Sequence, residues 1–445
     1  MHKKIDEFIK NPRKALLKLA FPIVIAMMVQ TLYNVVDTAY VGRLGNNAIA
    51  ALTFSFPLYF ILISINAGLG IGMGQRISRF LGAKEKKAAE NVAMHGLLVS
   101  VILSIIIIVL GIIFLKPVLY SFGAEQEVLK LSIDYMSIIL YGVIFMFPVY
   151  IISSIFSAQG DTKMQMKIQL TGLILNFILE PIFIYGFHLG VKGSAIATVI
   201  SIFVTFIMSL YYLKKYSYLK IEPKVFRFRS YIVKEIFTVG IPATLMMLLV
   251  SIYVIFLNKF MDKFGVDYVA SFGIVSRLES VATMPVFAFS MAAVTLVGMF
   301  YGAKRYDLIK DISKYAIKIG LMITSTVGII FFAFPHLFLK IFTTDANLIA
   351  IAVPYLRLDV FTFPLMTTGI MIGRIMQGMG SGMPGLWINV IRIFVVAVPL
   401  AALFVYVFGY GYLSIAIAMI LGGFVSSVVG VFWLRAKITR LGARQ

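Results

Sequence analysis

The residues of this sequence best suited to chemistry lie in the apolar stretch 170–186, LTGLILNFILEPIFIYG. An acid at the centre of a membrane helix costs about 2.5–3.5 kcal/mol on insertion scales, so its presence needs a reason. Asn176 and Glu180 are four residues apart and share one helix face. Pro181 follows and has no N–H, so it would leave the carbonyl of Phe177 without its helical partner and bend the helix. A carboxylate, an amide and a free carbonyl on one turn favour a proton or small-cation site. A neutral acid hydrogen-bonded between helices would fit the same stretch.

A second acid lies on a polar stripe in the first apolar segment. The stripe consists of Gln30, Tyr33, Asn34, Asp37 and Tyr40. Spacings of three and four residues place these side chains along one face of a helix. Such a stripe in a membrane helix normally faces protein or a water-filled cavity. Pro22, one turn inside this segment, is a second expected bend point.

The composition excludes a soluble globule. Hydrophobic residues make up 60% of the 445 positions, whereas soluble domains usually hold about 45–50%. The chain has no cysteine, which excludes thiolate metal sites, disulfides and thiol catalysis. Its four histidines are scattered without metal-ligand spacing. We therefore expect an all-α polytopic membrane protein without a cofactor.

Twelve spans are expected, and the distribution of charge sets their orientation. The predicted spans are 19–41, 49–73, 92–114, 132–158, 168–188, 191–213, 236–258, 268–300, 315–341, 349–377, 384–408 and 411–434. Alternate connections and the two termini hold 29 of the 40 Lys and Arg, against seven in the opposite loops. This asymmetry predicts a multi-pass plasma-membrane protein with both termini in the cytoplasm. The net charge of +21 is thus a topology signal whose expected partner is anionic lipid, not nucleic acid.

An internal repeat divides the chain into two lobes. Gly-Ala-Lys at 82–84 recurs at 302–304, an offset of 220 that also aligns Pro22 with Pro242. Gln-Gly at 159–160 recurs at 377–378, an offset of 218 that places Pro181 on Pro399. The prediction is an N-lobe (1–213), a basic cytoplasmic linker (214–234) and a C-lobe (235–445). Because each lobe has six spans, the repeats are parallel, about a pseudo-two-fold axis along the membrane normal.

The repeat separates scaffold from candidate site. The same offsets transfer Asp37 to Leu257, Asn176 to Phe394 and Glu180 to Val398, so every polar group disappears while the proline remains. This loss favours a functional role for the two acids. At about 1.5 Å per residue, Thr198 in the sixth span reaches a similar depth in the outer half of the lobe. We predict one site from Asp37, Asn176, Glu180 and Thr198.

Further charges lie within the spans of the second lobe. Arg277 and Glu279 are two residues apart, so they do not share a helix face and need separate partners. With Asp359 they are secondary candidates. Structural ion pairing and a role in substrate binding or coupling both remain open for them.

Taken together, these motifs resemble the multidrug and toxic compound extrusion (MATE) family, in its prokaryotic and archaeal branch, over essentially the full length. The stretches carrying the resemblance are 21–45, 82–91, 156–166, 175–186, Arg277–Glu279 with 287–305, and 374–384. The resemblance implies two six-helix lobes in a V and export of amphiphilic, often cationic compounds against inward Na⁺ or H⁺. It also implies a first-lobe site for a proton or for a cation such as Na⁺, formed by Asp37, Asn176, Glu180 and Thr198. Gln30, Tyr33 and Asn34 match positions near the family's first-lobe substrate cavity. Other branches place acids in spans seven and ten, but span seven here has none before Asp262.

Two other classes compete with an ion-coupled multidrug antiporter. A lipid-linked precursor flippase of related two-lobe design would line its cavity with basic residues for a pyrophosphate, and most basic residues here lie in loops. A membrane-embedded enzyme would need paired Asp-rich motifs or a His/Asp set, and the sequence has neither. We therefore expect a transporter and not an enzyme, acting as a monomer on small organic compounds.

Overall fold

The computed structural model of the protein describes residues 2–222 and 226–442, and the described chain contains helices and turns without a β-strand. Residues 223–225 of the predicted linker lie outside the described residues. The α-helices are α1 (His2–Lys10), α2 (Pro12–Gly42), α3 (Asn46–Gly82), α4 (Lys86–Ser121), α5 (Gln126–Ala158), α6 (Thr162–Pro181), α7 (Gly190–Tyr216), α8 (Ser230–Asp262), α9 (Val266–Gly302), α10 (Tyr306–Ala333), α11 (Pro335–Leu339), α12 (Ala346–Asp359), α13 (Thr362–Gly378), α14 (Met383–Val390), α15 (Val398–Ala402) and α16 (Leu413–Gly442). The π-helical turns are Ile182–Gly186, Ile391–Ala397 and Leu403–Val407.

The membrane-spanning elements confirm the predicted all-α polytopic class. In the described residues, 11 helices are long and apolar enough to cross a membrane, or up to 12 if a bent pair counts as one span. That pair is α12 and α13, which meet at an angle of 49°. The sequence predicted one unbroken helix over 349–377. Pro364 explains the break, because it cannot donate a hydrogen bond to the carbonyl of Val360.

The predicted ninth span, 315–341, is wrong at its C-terminal end. Helix α10 stops at Ala333, and Pro335 begins the separate short helix α11. Phe334, between them, has φ −125° and ψ 48°. A proline disfavours the helical conformation in the residue before it, which explains the stop.

The chain folds into two compact units. Unit 1 comprises Phe21–Thr244, and unit 2 comprises His2–Ala20 together with the chain from Leu245. Both changes of unit occur inside a long helix, α2 or α8, close to Pro22 or Pro242. The first half of α8 therefore belongs to unit 1, and α1 with the start of α2 belongs to unit 2.

Unit 1 is built around α5, which packs against α3, α4 and α7. Its buried core includes Leu62, Leu119, Met136 and Phe147. Helix α7 approaches the end of α6 closely at Gly193, where a Cβ would lie 2.6 Å from the carbonyl oxygen of Phe183. A side chain at this position would push the two helices apart, so glycine sets their separation.

The segment before α8 is fixed to the first turns of α4 by backbone hydrogen bonds. The amide of Lys220 donates to Glu90 at 2.9 Å, and the amide of Arg229 donates to Nε2 of the buried His95 at 2.9 Å. Asn91 donates to the carbonyl of Arg227 and accepts from its amide. The described part of the linker thus covers this face of α4.

In unit 2, α9 packs against α10, α12 and α13, and the broken pair α12 and α13 is the counterpart of α5 at the offset of 220. Its core includes Leu257, Val275, Leu356 and Phe363. The first turn of α2 is bound to α10 by Arg13, whose guanidinium donates to Asp311 at 2.6 Å. Helix α4 of unit 1 therefore binds the chain before the second repeat, and helix α10 of unit 2 binds the chain before the first.

Turn geometry fixes the register of the repeat and corrects one alignment. Lys84 and Lys304 occupy equivalent left-handed positions, with φ 63° and 58°. Gly160 and Gly380 also match, with φ 71° and 82°, so the offset there is 220 and not the predicted 218. The π turns after the fifth and eleventh spans begin at 182 and 403, an offset of 221. Pro181 and Pro399 are therefore not equivalent.

Candidate functional site

Three helices of unit 1 bring the four predicted site residues together. Helix α2 carries Asp37, α6 carries Asn176 and Glu180, and α7 carries Thr198. The Asn176 amide donates from Nδ2 to Thr198 Oγ1 at 2.9 Å. The Asp37 carboxyl is a side-chain hydrogen-bonding neighbour of the Glu180 carboxyl. We call Asp37 and Glu180 the carboxyl pair.

Ser194 is a member of this site that sequence reasoning missed. Its hydroxyl donates to Glu180 Oε1 at 2.9 Å, and the side chain is 1% exposed. The close approach of α7 at Gly193 makes this contact possible. Buried serines are frequent in the chain, so the sequence alone offered no reason to choose this one.

Two oxygens of the site have no donor among the described residues. Glu180 Oε2 and Asn176 Oδ1 are buried, and neither atom has a hydrogen-bond partner among the described residues. Buried polar atoms are nearly always satisfied. The two carboxyls can share a hydrogen bond only if one of them carries a proton. The carboxyl pair can therefore bind a proton or a cation that accepts oxygen ligands.

Among the described residues, no salt bridge includes either member of the carboxyl pair. The groups acting on the Glu180 carboxyl are Asp37 and Ser194, neither of which is a cation. Two buried carboxylates repel each other and lose their hydration, so the doubly ionised form is unfavourable. The pair is expected to hold one neutralising cation in its stable state.

Three phenols surround the Asp37 carboxyl. Tyr33 on α2, Tyr59 on α3 and Tyr135 on α5 are all within electrostatic reach of it. The sequence selected only Tyr33. The repeat could have indicated the others, because the offset of 220 transfers Tyr33 and Tyr135 to tyrosines and Tyr59 to Glu279.

The end of α6 is held against α2 by aromatic contacts and by the irregular turn that follows Pro181. The Tyr185 hydroxyl donates to the backbone carbonyl of Tyr40 at 2.5 Å. The rings of Tyr40 and Phe177 lie 6.1 Å apart. After Pro181 the chain continues as a π turn closed by the Phe187 amide and the Ile182 carbonyl at 2.9 Å. These contacts fix the distance between the helices that carry the two acids.

The remaining first-lobe candidates differ in exposure. Gln30 donates to Asn34 at 3.1 Å, and both side chains are exposed, whereas Tyr33, one of the phenols near Asp37, is half-buried. Pro22 is buried within α2, which is assigned as one continuous helix around it.

The second-lobe candidates separate into one exposed residue and one buried cluster. Arg277 is exposed. Glu279 interacts electrostatically with Asp359 and with Arg392, which the sequence showed as another charge within the spans of this lobe. Asp359 is 1% exposed and accepts from the Thr362 hydroxyl at 3.3 Å. Arg392 lies in the π turn Ile391–Ala397, 6.0 Å from the centre of the Tyr253 ring.

The donors of the first-lobe site are the type that a hard cation prefers. Carboxylate, amide and hydroxyl oxygens suit hard cations, and the site offers them from Asp37, Glu180, Asn176 and Thr198. The described residues contain no cluster of three or more His, Cys, Asp or Glu that could hold a metal. The site is therefore suited to a monovalent cation or a proton more than to a transition metal.

A helical protein of two repeated units, with a carboxyl pair inside its spans, belongs to the class of polytopic membrane transporters. The sequence profile of the MatE family matches residues 22–182 and 242–403. The chain therefore belongs to the MATE family of multidrug efflux transporters, which confirms the resemblance seen in the sequence.

Curated relatives cover most of the chain. The probable multidrug resistance protein YoeA of Bacillus subtilis (strain 168) is 28% identical over 443 residues, 94% of each chain. The multidrug export protein MepA of Staphylococcus aureus (strain MSSA476) is 27% identical over 378 residues, 84% of each chain.

Solved structures agree with the fold. A MATE protein in complex with MaL6 superposes with a TM-score of 0.93 at 32% identity, covering 97% of both chains. An outward-facing multidrug resistance MATE transporter of the MOP superfamily gives 0.92 at 32% identity, covering 97% of this chain and 96% of the other. A MOP superfamily transporter from Pyrococcus furiosus, described as having reversed polarity of its binding pocket, also gives 0.92 at 32% identity, covering 97% of both chains.

Proposed function

We propose that the protein is a plasma-membrane antiporter that exports amphiphilic organic cations in exchange for inward H⁺ or Na⁺. The observation that carries the proposal is the carboxyl pair, in which Asp37 and Ser194 are the groups that act on Glu180. Two buried oxygens of the site, Glu180 Oε2 and Asn176 Oδ1, have no hydrogen-bond partner among the described residues. One H⁺ or one Na⁺ neutralises the pair. The excess of basic residues in alternate loops supports cytoplasmic termini.

The tyrosines near Asp37 support the choice of substrate. Aromatic faces and a nearby carboxylate attract organic cations. The cationic substrate and the coupling ion are attracted by the same negative charge, so the binding of each weakens the binding of the other. Entry of the coupling ion then promotes release of the drug, which is the requirement for exchange. The multidrug names of the relatives agree with a broad range of small organic substrates.

The flippase alternative has less support in the arginines of unit 2. Arg392 lies beside the acid Glu279, and Arg374 donates to Gln377 at 3.2 Å. Neither guanidinium is exposed, which leaves Arg277 as the exposed one of the three.

The test is transport by the purified protein in proteoliposomes that contain a fluorescent lipophilic cation. A pH gradient and a Na⁺ gradient are imposed separately, and dye movement is recorded for the wild type and for Asp37→Asn. We expect one gradient to drive export by the wild type and neither to drive export by the variant. Glu127→Gln, which neutralises an exposed acid of the same unit, is the matched control and should behave as wild type. Export by Asp37→Asn at the wild-type rate would overturn the proposal.

A further inference from the structure

A large cavity lies within unit 2, and its lining does not include the carboxyl pair. It is a groove of about 1350 Å³ between α10 and α16. Its wall on α10 runs from Tyr306 to Ser325, and its wall on α16 runs from Val431 to Gly442. At about 1.5 Å per residue, the α10 wall is about 28 Å long. That length exceeds one leaflet of a bilayer, which is roughly 20 Å with its headgroups.

One end of this groove is strongly basic. Lys310, Lys314 and Lys318 follow each other at intervals of four, so they form one face of α10, here called the lysine face. Arg435 lies opposite on α16, and all four side chains are exposed. We call the cavity the basic groove.

The acids near the basic groove are already engaged elsewhere. Asp307, which itself lines the groove, forms an ion pair with Arg305 at 2.6 Å, and Asp311 forms one with Arg13 at 2.6 Å. Among the described residues, no salt bridge includes the lysine face or Arg435. The groove therefore presents four cations without a protein counter-ion in the described chain.

The other end of the basic groove is apolar. Leu321 and Met322 line it from α10, and Val431 and Leu434 line it from α16. Ser313 lines the groove one residue before Lys314, is 1% exposed, and its hydroxyl has no hydrogen-bond partner in the described structure. A buried hydroxyl without a partner is unusual. A ligand with acceptor oxygens in the groove would satisfy it.

The tryptophans indicate where this groove meets the membrane surface. The chain has two, Trp387 and Trp433, and both line a smaller hollow that also includes Lys437 and Arg440. Indole rings concentrate at the level of the lipid headgroups. Trp433 is two residues before Arg435, so the basic end of the groove lies at that level and its apolar end lies deeper.

The repeat shows that the fold does not require the lysine face. The offset of 220 transfers Lys310, Lys314 and Lys318 to Glu90, Met94 and Leu98. In unit 1 the backbone amide of Lys220 donates a hydrogen bond to the Glu90 carboxylate, so the linker covers this position. The lysines belong to unit 2 alone.

We propose that the basic groove is a binding site for an anionic phospholipid of the surrounding membrane. The phosphodiester lies against the lysine face and Arg435, with Ser313 as a donor, and one acyl chain lies along Leu321 and Val431. Basic pockets between membrane helices bind anionic headgroups by this chemistry. A lipophilic drug cation is disfavoured because the groove is positive, and a free phosphate would leave the apolar half unfilled.

The test uses the purified full-length protein in a neutral detergent with dioleoyl-phosphatidylglycerol as the probe. Native mass spectrometry counts the bound lipid, and the melting temperature is measured with and without it. Each lysine near an anionic headgroup contributes about fivefold in affinity. The variant Lys310→Gln/Lys314→Gln/Lys318→Gln should therefore lose lipid retention by at least tenfold. The control Lys163→Gln/Lys167→Gln/Lys214→Gln removes three exposed lysines of unit 1 and should retain the lipid. Equal loss in both triple variants, or no retention by the wild type, would overturn the proposal.

Two further arms identify the source of the phosphate. Dioleoyl-phosphatidylcholine and glycerol phosphate should raise the melting temperature by less than half of the shift given by phosphatidylglycerol. Ser325→Phe, which fills the apolar end and leaves every lysine in place, should weaken phosphatidylglycerol retention at least fivefold. A full shift with glycerol phosphate, together with normal lipid retention by Ser325→Phe, would show a phosphate site instead and refute the lipid assignment.

Discussion

Around the carboxyl pair of unit 1, tyrosines come from α2, α3 and α5, and the offset of 220 transfers them to Tyr253, Glu279 and Tyr355 of unit 2. Unit 2 thus keeps two of the three phenols and adds an acid at the third position. Its buried cluster also contains Arg392 beside Glu279. Unit 1 has acids without a base at its site, and unit 2 has acids with one.

The positions of the carboxyl pair themselves become apolar in unit 2. With offsets of 220 and 221 from the turns, Glu180 falls on Leu400 or Ala401, and Asn176 falls on Val396 or Ala397. Leu257, the counterpart of Asp37, is buried in the apolar core with Ala397 and Ala401. The predicted loss of polarity therefore survives the corrected alignment. The comparison teaches that one helical frame supports a carboxyl pair without a basic partner in unit 1 and an acid cluster beside Arg392 in unit 2.

Ser194 and Ser414 are buried serines near the starts of α7 and α16. The turns before them repeat at an offset of 221, so Ser194 falls on Ile415 and Ser414 lies one residue before that position. Ser194 donates to Glu180, whereas the Ser414 hydroxyl has no partner in the described chain. Each unit thus has a buried serine after this turn, and only Ser194 has an acid as its acceptor.

The largest effect is expected from Glu180→Gln. The amide keeps an oxygen for Ser194 but cannot exchange a proton or attract a cation, so ion-driven drug export should fall to background, at least tenfold below wild type. Export is measured in proteoliposomes, with the amount of folded protein checked by size-exclusion chromatography. Glu279→Gln, in unit 2, should reduce export far less. Equal losses in both variants would contradict the division of roles between the units.

A loss of stability is expected from Arg392→Met. The change removes the buried cation that interacts electrostatically with Glu279. Because the described residues show no salt bridge between the two, the loss should be smaller than the about 3–5 kcal/mol of a broken buried ion pair. The double variant Arg392→Met/Glu279→Gln should recover much of that loss. Melting temperatures of the purified variants measure the coupling. No recovery in the double variant would mean that Arg392 acts through packing alone.

Much of this architecture could be predicted from the sequence, because hydropathy and loop charge act locally. Asn176 and Thr198 meet as predicted, since helix spacing and depth constrain them. Ser194 and the partner of Glu279 could not be predicted, since those contacts depend on how closely helices approach, as at Gly193. The break before Pro335 was readable from the proline, but the hydrophobic pattern continues through it and concealed the stop.

A smaller effect separates the buried serines Ser194 and Ser414. Ser194→Ala removes a donor from the buried Glu180 carboxyl, which should cost about 1–3 kcal/mol. Ser414→Ala removes a buried hydroxyl that has no partner, so it should be neutral or slightly stabilising. The melting temperatures of the two variants, in the same detergent, provide a matched comparison. Equal destabilisation would show that Ser414 has an acceptor in solution.

The smallest effect tests the equivalence of the repeats at two turns that are not part of the carboxyl pair. Lys84 and Lys304 have φ of 63° and 58°, a conformation that costs a side chain about 1 kcal/mol. Glycine adopts it without that strain but loses more entropy on folding. Lys84→Gly and Lys304→Gly should therefore each stabilise the protein by about 0.5 kcal/mol, and by similar amounts. Lys167→Gly is the control, because it lies inside α6, where glycine should cost about 1 kcal/mol. If only one of the two turn variants gains stability, the turns carry different strain and the repeat holds there in sequence but not in energy.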